Sequence, residues 1–583
     1  MPVLTAQSSP TVAEEKKITA RVSEKKSARD FQSRRHEDWN DNYQLYRNKV
    51  KINRLTQRQA VNIPLMKETI KTLISKIDEA PTIDWQDLGG DEAKEMVFQE
   101  MWNADFTRLN MEAIDVQDKK TVLLYGRAFK KLDWGKDGVE VKALDIFDIV
   151  VDPLTDPLDL ETARFVIHQN IFRSLKDVLA DDRYTAKGRG KLKTFLTSDE
   201  GVVQSGLNRK QYEEKTRRLR QSDDGETTFN FDSDIAAGEV IVNITEHISN
   251  VWSARRKKFV KHVIVYADDM IELMDIPLKK LLGIDFYPYV SWGDDVETND
   301  YWSDGPADLV RTPNKVVNVW FSQLIENRTL SNFQMHWYDA TAENYEPQTY
   351  EPGAGRMLPA PGSPKDTIMP VEINGLDETM TSIDFIIRLI ERGTAATSIE
   401  KGVSEKKQIT LGEVETLVGK AMERTLSMAK FYKRSWEELA IKWYSLTDAN
   451  DKGVRTLYKM SANGKLWPRK VTPTNWKSKE GYRPTVRSLL EQEEENTKSI
   501  QRFMFVRSQF PNNPALNRIS QKRALELLKL TPEELRQITA DQEQVDETVQ
   551  LQQQVAAEQG QEGGEQAQGL QQSLNELNIL QNT

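Results

Sequence analysis

Any chemistry in this chain has to be done without a thiol, because its 583 residues contain no cysteine. That removes disulfides, thiolate metal sites and cysteine nucleophiles together. Five histidines are present, His36, His168, His247, His262 and His336. No two have the helical or hairpin spacing of metal ligands, so each reads as a surface or internally satisfied imidazole. Asp223-Asp224, Asp268-Asp269 and Asp294-Asp295 could in principle hold Mg²⁺, but adjacent carboxylates in polar stretches are more often solvated turns. No Gly-x-x-x-x-Gly-Lys-Ser/Thr run exists to cradle phosphates, and no Gly-x-Ser-x-Gly elbow to raise a nucleophile. Gly353-Ala354-Gly355 begins like a dinucleotide loop but lacks the third glycine. The expectation is a chain that is not an enzyme, with no catalytic residue, no metal and no cofactor.

What remains is charge. Lys401, Lys406 and Lys407 stand beside Glu400 and Glu405 in the polar segment Ser398 to Gln408. Such ammonium groups can touch passing phosphates weakly and without reading sequence, or can form a solvated charge run on a turn. Arg255, Arg256, Lys257 and Lys258 read more simply as a solvated hairpin tip. Lys and Arg number 80 against 90 Asp and Glu, a net charge of −10. That balance argues against clamping nucleic acid over the whole surface, but not against a wall past which DNA slides.

The elements that would position these groups follow from periodicity. Residues 1–25 are polar and without hydrophobic period, which predicts a disordered arm. Helical spacing begins near Ala28, with Phe31, Trp39, Tyr43 and Tyr46. A second helix carries Leu65, Ile70, Leu73, Ile74 and Ile77, with Pro64 at its first turn and Pro81 beyond its end. More helix is expected from Asp91 to about Leu124. Strands follow at Arg127 to Trp134 and Val139 to Leu144 around Gly135-Lys136-Asp137-Gly138, then at Phe147 to Val151 and Arg164 to Ile171 around the turn formers Asp152-Pro153 and Asp156-Pro157. Residues 183–235 carry few apolar anchors, which predicts a long loop or mobile insertion. A second hairpin pairs Val240 to Ile248 with Phe259 to Tyr266.

From about Thr312 the sequence reads as a helix with Val316, Val317, Val319, Trp320, Leu324 and Ile325 on a broad apolar face, running to about Met335. Residues 339–375 hold six prolines and four glycines, which no long helix survives. A helix returns at Asp377, with Met380, Ile383, Ile386, Ile387 and Ile390 spaced mostly by three and four. Thr410-Leu411-Gly412-Glu413 is a capping box opening a long helix to about Leu446. Residues 454–472 predict a hairpin about Ala462-Asn463-Gly464, and two or three helices are expected over 488–540. After Arg536 there is no Lys or Arg, and Gln dominates to Thr583. No apolar run approaches the ~18–20 residues of a bilayer span, and the first 20 residues lack an apolar signal core, so a cytosolic origin is expected.

The order of helix, breaker-rich excursion, helix, short polar loop and long capped helix resembles that of tailed-bacteriophage portal proteins, the podovirus-like head-to-tail connector rings. Leu123-Leu124-Tyr125-Gly126-Arg127-Ala128-Phe129 is similar to their helix-to-strand junction. Ala143-Leu144-Asp145-Ile146-Phe147-Asp148-Ile149-Val150-Val151-Asp152-Pro153 is similar to their strand ending in Asp-Pro, without the usual leading proline. Ile409-Thr410-Leu411-Gly412-Glu413-Val414 is similar to their Thr-Ala-x-Glu-Val helix start, with Leu411 where Ala is commoner. The resemblance covers roughly residues 30–540.

The resemblance implies an α+β, mainly helical portal fold assembled as a ring, with wing, stem, clip and crown regions. The divisions would be a disordered arm 1–25, a wing 26–302, a first stem helix 303–335, a clip 336–375, a second stem helix 376–397 and a tunnel loop 398–409. A long wing helix 410–453, a crown 454–539 and a Gln-rich acidic tail 540–583, disordered or a helical barrel, would follow. It implies that Lys401, Lys406 and Lys407 face DNA, that Tyr345, Tyr350, Arg356, Met357 and Leu358 form the docking collar, and that Val316, Val317, Trp320, Leu324, Ile383, Ile387 and Ile390 pack the stem. The implied partners are further copies of the chain (usually about twelve), major capsid protein and scaffold, terminase, tail adaptor, and double-stranded DNA without sequence preference, with no membrane. The implied place is the portal vertex of the virion, assembled in the host cytoplasm. The alternatives are another structural virion protein, an adaptor or scaffold, or less readily a packaging enzyme.

Overall fold

The computed structural model describes residues 12–49, 61–77, 81–220, 240–253, 257–332, 336–338, 368–370, 377–394, 396, 411–460, 466–487 and 502. They are α+β. The chain divides into two units, residues 1–455 with 471–486, and residues 456–470 with 487–583.

The first unit opens with α1 (Val12–Tyr46), a single 35-residue helix. This corrects the expected arm: the helix covers positions 12–25 as well. The cause is polar docking, invisible to hydrophobic period. Lys17 pairs with Asp275, Lys25 reaches Asp269 at 2.6 Å and Thr245 at 3.2 Å, and Glu24 lies 3.3 Å from His247. Further along, Ala28 joins Val150, Phe165 and Ile167 in a buried cluster, and Gln32 donates to the carbonyls of Ile146 and Ile149 at 3.0 and 2.9 Å.

Next come α2 (Leu65–Lys76), β1 (Thr82–Asp87), α3 (Glu92–Arg108) and α4 (Met111–Tyr125). The single helix expected over 91–124 is thus two, parted at Asn110, whose left-handed backbone (φ 50°) breaks the run. Gly126 closes α4 at φ 83°, and β2 (Arg127–Gly135) and β3 (Gly138–Leu144) form the predicted hairpin, in register Trp134 to Val139. β4 (Ile149–Val151) and β5 (Phe165–Ser174) follow, the stretch before β4 being one short helical turn rather than strand.

Of residues 183–235, the described part, 183–220, differs most from expectation, and 221–235 lie outside the described residues. After α5 (Leu175–Ala180) the chain forms α6 (Ala186–Leu196) and α7 (Asp199–Arg220), not a loop. Few apolar anchors suffice because each is well seated: Val178, Leu192 and Leu196 are buried, and the buried Asn208 of α7 donates to Ile241 O at 3.0 Å and Asp268 at 2.7 Å. β6 (Ile241–Ser253), β7 (Lys258–Ala267) and β8 (Ile271–Pro277) then complete an antiparallel five-stranded sheet in the order β4-β5-β6-β7-β8. α8 (Leu278–Leu282) leads to β9 (Tyr289–Gly293), which pairs with β2 in the three-stranded sheet β3-β2-β9.

Then come α9 (Pro306–Asn332), β10 (His336–Tyr338), β11 (Ile368–Pro370), α10 (Asp377–Thr394) and the 40-residue α11 (Leu411–Asn450). β12 (Arg455–Met460) and β13 (Leu466–Val471) pair as the second unit's two-stranded sheet. The short α12 (Pro473–Trp476) and β14 (Tyr482–Arg487) return to the first unit, where β14 pairs with β1. The boundary drawn at 454 is therefore wrong for residues 471–486. An aromatic cluster explains the return: Phe98 stacks on Tyr482 at 4.1 Å and on Trp476 at 5.6 Å, with Trp85 and Trp443 against the same ring. The helices expected over 488–540 and the tail lie outside the described residues, apart from residue 502.

Candidate functional site

The pair α9 and α10 is the element on which an assembly role would rest, and α9 is fixed along its length by other parts of the first unit. At its start, Gly305 N donates to Asp308 at 3.0 Å, and Asn42 of α1 donates both to Asp308 at 2.9 Å and to Leu124 O at 3.0 Å. The sequence placed the helix start near Thr312, between Pro306 and Pro313. The helix instead begins at Pro306, where proline suits a first turn, and runs through Pro313. Pro313 removes one helical hydrogen bond, and ion pairs on both sides hold the helix across it. Arg311 reaches Asp38 at 3.1 Å and Lys315 reaches Asp41 at 2.5 Å.

One stripe of α9 is polar and buried. Asn318 accepts from Ile63 N at 2.8 Å, and Ser322 accepts from Val61 N at 3.2 Å while donating to Asn318 O at 2.7 Å. The extended chain before α2 is thus held by side chains one helical turn apart.

α10 packs directly on α9. Among the residues expected to pack there, Val317, Ile383 and Ile390 are buried, and Val316, Trp320, Leu324 and Ile387 are half-buried. The chain between the helices leaves and returns through the antiparallel ribbon β10–β11, in register His336 to Pro370. In sequence the ribbon's strands follow α9 and precede α10, and residues 339–367 between them lie outside the described residues. Periodicity did not single out Phe385 and Leu389, one turn apart on α10, which are 62% and 46% exposed. Their signal was present as an apolar i, i+4 pair outside the isoleucine stripe. Lys401, Lys406 and Lys407, and Tyr345, Tyr350, Arg356, Met357 and Leu358, all lie outside the described residues, as does the capping Thr410.

α11 is anchored at its C-terminal half by indoles and a phenol that donate to buried carboxylates. Tyr432 donates to Asp115 at 2.6 Å and Trp436 at 3.3 Å, while Lys119 holds the other oxygen of Asp115 at 2.6 Å. Trp443 donates to Asp105 at 3.2 Å, which also receives Arg455 at 3.2 Å. Lys442 donates to Tyr289 O of β9 at 2.6 Å. The helix is thereby locked to α3, α4 and β9, with α9 and α10 preceding it in the chain.

Away from these helices, half-buried titratable groups link the two sheets. Lys131 of β2 pairs with Glu246 of β6, 4.0 Å from His168, beside a partly open space of about 40 Å³. Burial, reinforced by the Lys131 charge, pushes the His168 imidazole down to about 3. Burial and the neighbouring Asp295 push Asp294 up to about 6. Among the described residues no three His, Asp or Glu side chains cluster so as to hold a metal ion. No helix among them is long and apolar enough to cross a membrane.

These features define an α+β protein with a ribbon-linked helix pair followed by a long anchored helix. No protein-family model matches the sequence, and no curated protein matches it. One similar solved structure is described as the neck of an empty GTA particle computed with C6 symmetry. It is 10% identical, with 79% of this chain and 89% of that one covered and a TM-score of 0.35. A likeness of that size decides neither fold nor activity.

Proposed function

We propose that this chain is the portal protein of a tailed bacteriophage: a non-enzymatic subunit of a ring through which double-stranded DNA enters and leaves the capsid. The observation that carries the reading is the α9–ribbon–α10 unit, in which two packed helices flank in sequence a paired β10–β11 ribbon and a breaker-rich segment. Beside it, Phe385 and Leu389 leave an apolar face uncovered. A single copy gains nothing from that exposure, whereas neighbouring copies side by side would cover it.

On this reading α9 and α10 are the stem and residues 339–367 belong to the collar that docks terminase during packaging and the tail adaptor afterwards. Lys401, Lys406 and Lys407 offer weak, sequence-blind contacts to DNA phosphates. Capsid protein and scaffold surround the ring at one vertex of the virion, which is assembled in the host cytoplasm. The reaction itself belongs to the motor, so the pure chain hydrolyses neither ATP nor DNA.

Mass photometry of the purified chain, with negative-stain images of its axial view, tests the reading. A channelled ring of about twelve copies supports it. A monomer at every concentration, or ATP turnover by the pure chain, overturns it.

A further inference from the structure

The sequence reads Arg255 to Lys258 as a solvated tip, but two exposed rings beside it do not fit that reading. β6 and β7 stay paired out to Ser253 and Lys258. Their neighbours stop short. Pairing of β5 with β6 ends at Ser249, with one more bond from Asn250 N to Arg164 O at 2.9 Å, and pairing of β8 with β7 ends at His262. The hairpin end therefore runs on as a two-stranded ribbon without a flanking strand. Side chains alternate across it. Val251 and Val260 share one face, half-buried and buried. Trp252 and Phe259, directly opposite each other, share the other face and are 55% and 64% exposed. Their rings meet edge to face, 5.2 Å apart at 70°, which leaves ring surface open.

On the ribbon's own strands the charge has one sign. From Ile248 to Ala267 the chain holds no Asp or Glu, although its net charge is −10. Lys257 is exposed and has no partner among the described residues. Lys258 is exposed too, and it lies 3.7 Å from Asp285. A pair of that length in solvent contributes little, so Lys258 stays open to a stronger anion. Arg255 and Arg256 lie outside the described residues and form no part of the site. One pair inward the ring face turns polar, with Asn250 opposite a Lys261 that Glu161 holds at 2.7 Å. Two rings bordered by polar groups are a small apolar patch for a lipid surface, which needs a broad apolar face. They have the size of a base.

We infer that this ribbon binds a single strand of nucleic acid, with unpaired bases stacked on Trp252 and Phe259 and backbone phosphates met by Lys257 and Lys258. Bases of any sequence stack on aromatic rings, and lysines hold phosphate without reading it. The strand has to be unpaired, because a duplex keeps its base faces stacked on one another. The inference goes beyond the ring reading, since one copy carries the whole site. It is also separate from Lys401, Lys406 and Lys407, which that reading sets against duplex DNA.

Fluorescence anisotropy of a labelled oligo(dT) of about 20 nucleotides, titrated with the full chain beside a duplex of the same length, tests it. The single strand is expected to bind more tightly than the duplex. Trp252→Ala with Phe259→Ala should weaken that binding about tenfold, while Trp252→Tyr with Phe259→Tyr, which keep two rings, should retain it. Lys257→Gln with Lys258→Gln should lower the slope of log affinity against log salt by about one. Equal affinity for the duplex, no binding to oligo(dT), or binding indifferent to loss of both rings overturns the inference. So does binding that is lost on changing Lys401, Lys406 and Lys407 to Gln but not on changing the rings, which assigns it to those lysines. Ring-dependent binding to phosphatidylserine vesicles without binding to oligo(dT) identifies a lipid site instead and overturns it too. Mass photometry of the same variants reads the ring separately, so either reading can fail alone.

Discussion

Lys130 Nζ of β2 stands 2.7 Å from Asp118 Oδ2 of α4, and neither side chain is more than 1% exposed. Trp292 of β9 donates to the same oxygen at 2.6 Å. One carboxylate thus joins a helix to two strands of the three-stranded sheet. A buried pair of this kind need not add net stability over a well-packed apolar pair, but breaking it strands a charge. Lys130→Met is expected to cost about 3–5 kcal/mol. Adding Asp118→Asn should recover part of that loss, measured by urea unfolding of both variants and of each single change.

Gly126 occupies a position that no other residue can. Its φ is 83°, and an added Cβ would stand 1.9 Å from Ser303 O. Backbone strain and overlap with a main-chain oxygen together place Gly126→Ala at about 3 kcal/mol or more of destabilisation. The expected outcome is a thermal midpoint lowered by several degrees, or loss of soluble expression.

His168 supplies a pH dependence whose sign is fixed. Its imidazole, held down to about 3 by burial and by Lys131, is neutral in the folded chain, while the unfolded chain titrates near the usual ~6.5. The unfolded state therefore binds the extra proton first as pH falls between those values. Stability is full above ~6.5 and declines by up to about 1.4 kcal/mol per unit below it. His168→Gln should flatten the slope between pH 6.5 and 4 relative to the parent, read from urea midpoints across that range.

On the ring reading, Phe385 and Leu389 bear on assembly rather than folding. Replacing both with Asp is expected to weaken association at least tenfold, about 1.4 kcal/mol. The thermal midpoint of the dissociated chain should stay within a few degrees of the parent's. Sedimentation of the double variant against the parent over a concentration series decides it; unchanged association would remove this face from the interface.

What the sequence made legible was apolar and local. The β2–β3 hairpin follows from Gly135-Lys136-Asp137-Gly138, and α10 follows from its isoleucines. What stayed hidden was polar or remote. The first turns of α1 dock through Lys17, Glu24 and Lys25, which periodicity counts as solvent-facing. α7 is held by Asn208 in a stretch with the composition of a loop. β1 and β14 lie far apart in the sequence, and no local pattern announces that they pair. The residues of the helix pair were readable as helix, whereas Phe385 and Leu389 needed the packing of α10 on α9 to show which side stays open.

The β1–β14 pairing also fixes when the first unit can finish folding. Thr82–Asp87 leaves the ribosome long before Tyr482–Arg487, and at about 5–20 residues per second the wait is on the order of half a minute. Until then the Phe98 ring lacks its stacking partner Tyr482, and Leu88 N lacks the Gly481 carbonyl that it meets at 3.0 Å. A prematurely terminated polypeptide keeps that aromatic seam open to proteases and chaperones. The first unit therefore cannot close until residue 487 has been made, and a polypeptide that stops earlier leaves β1 without its partner strand.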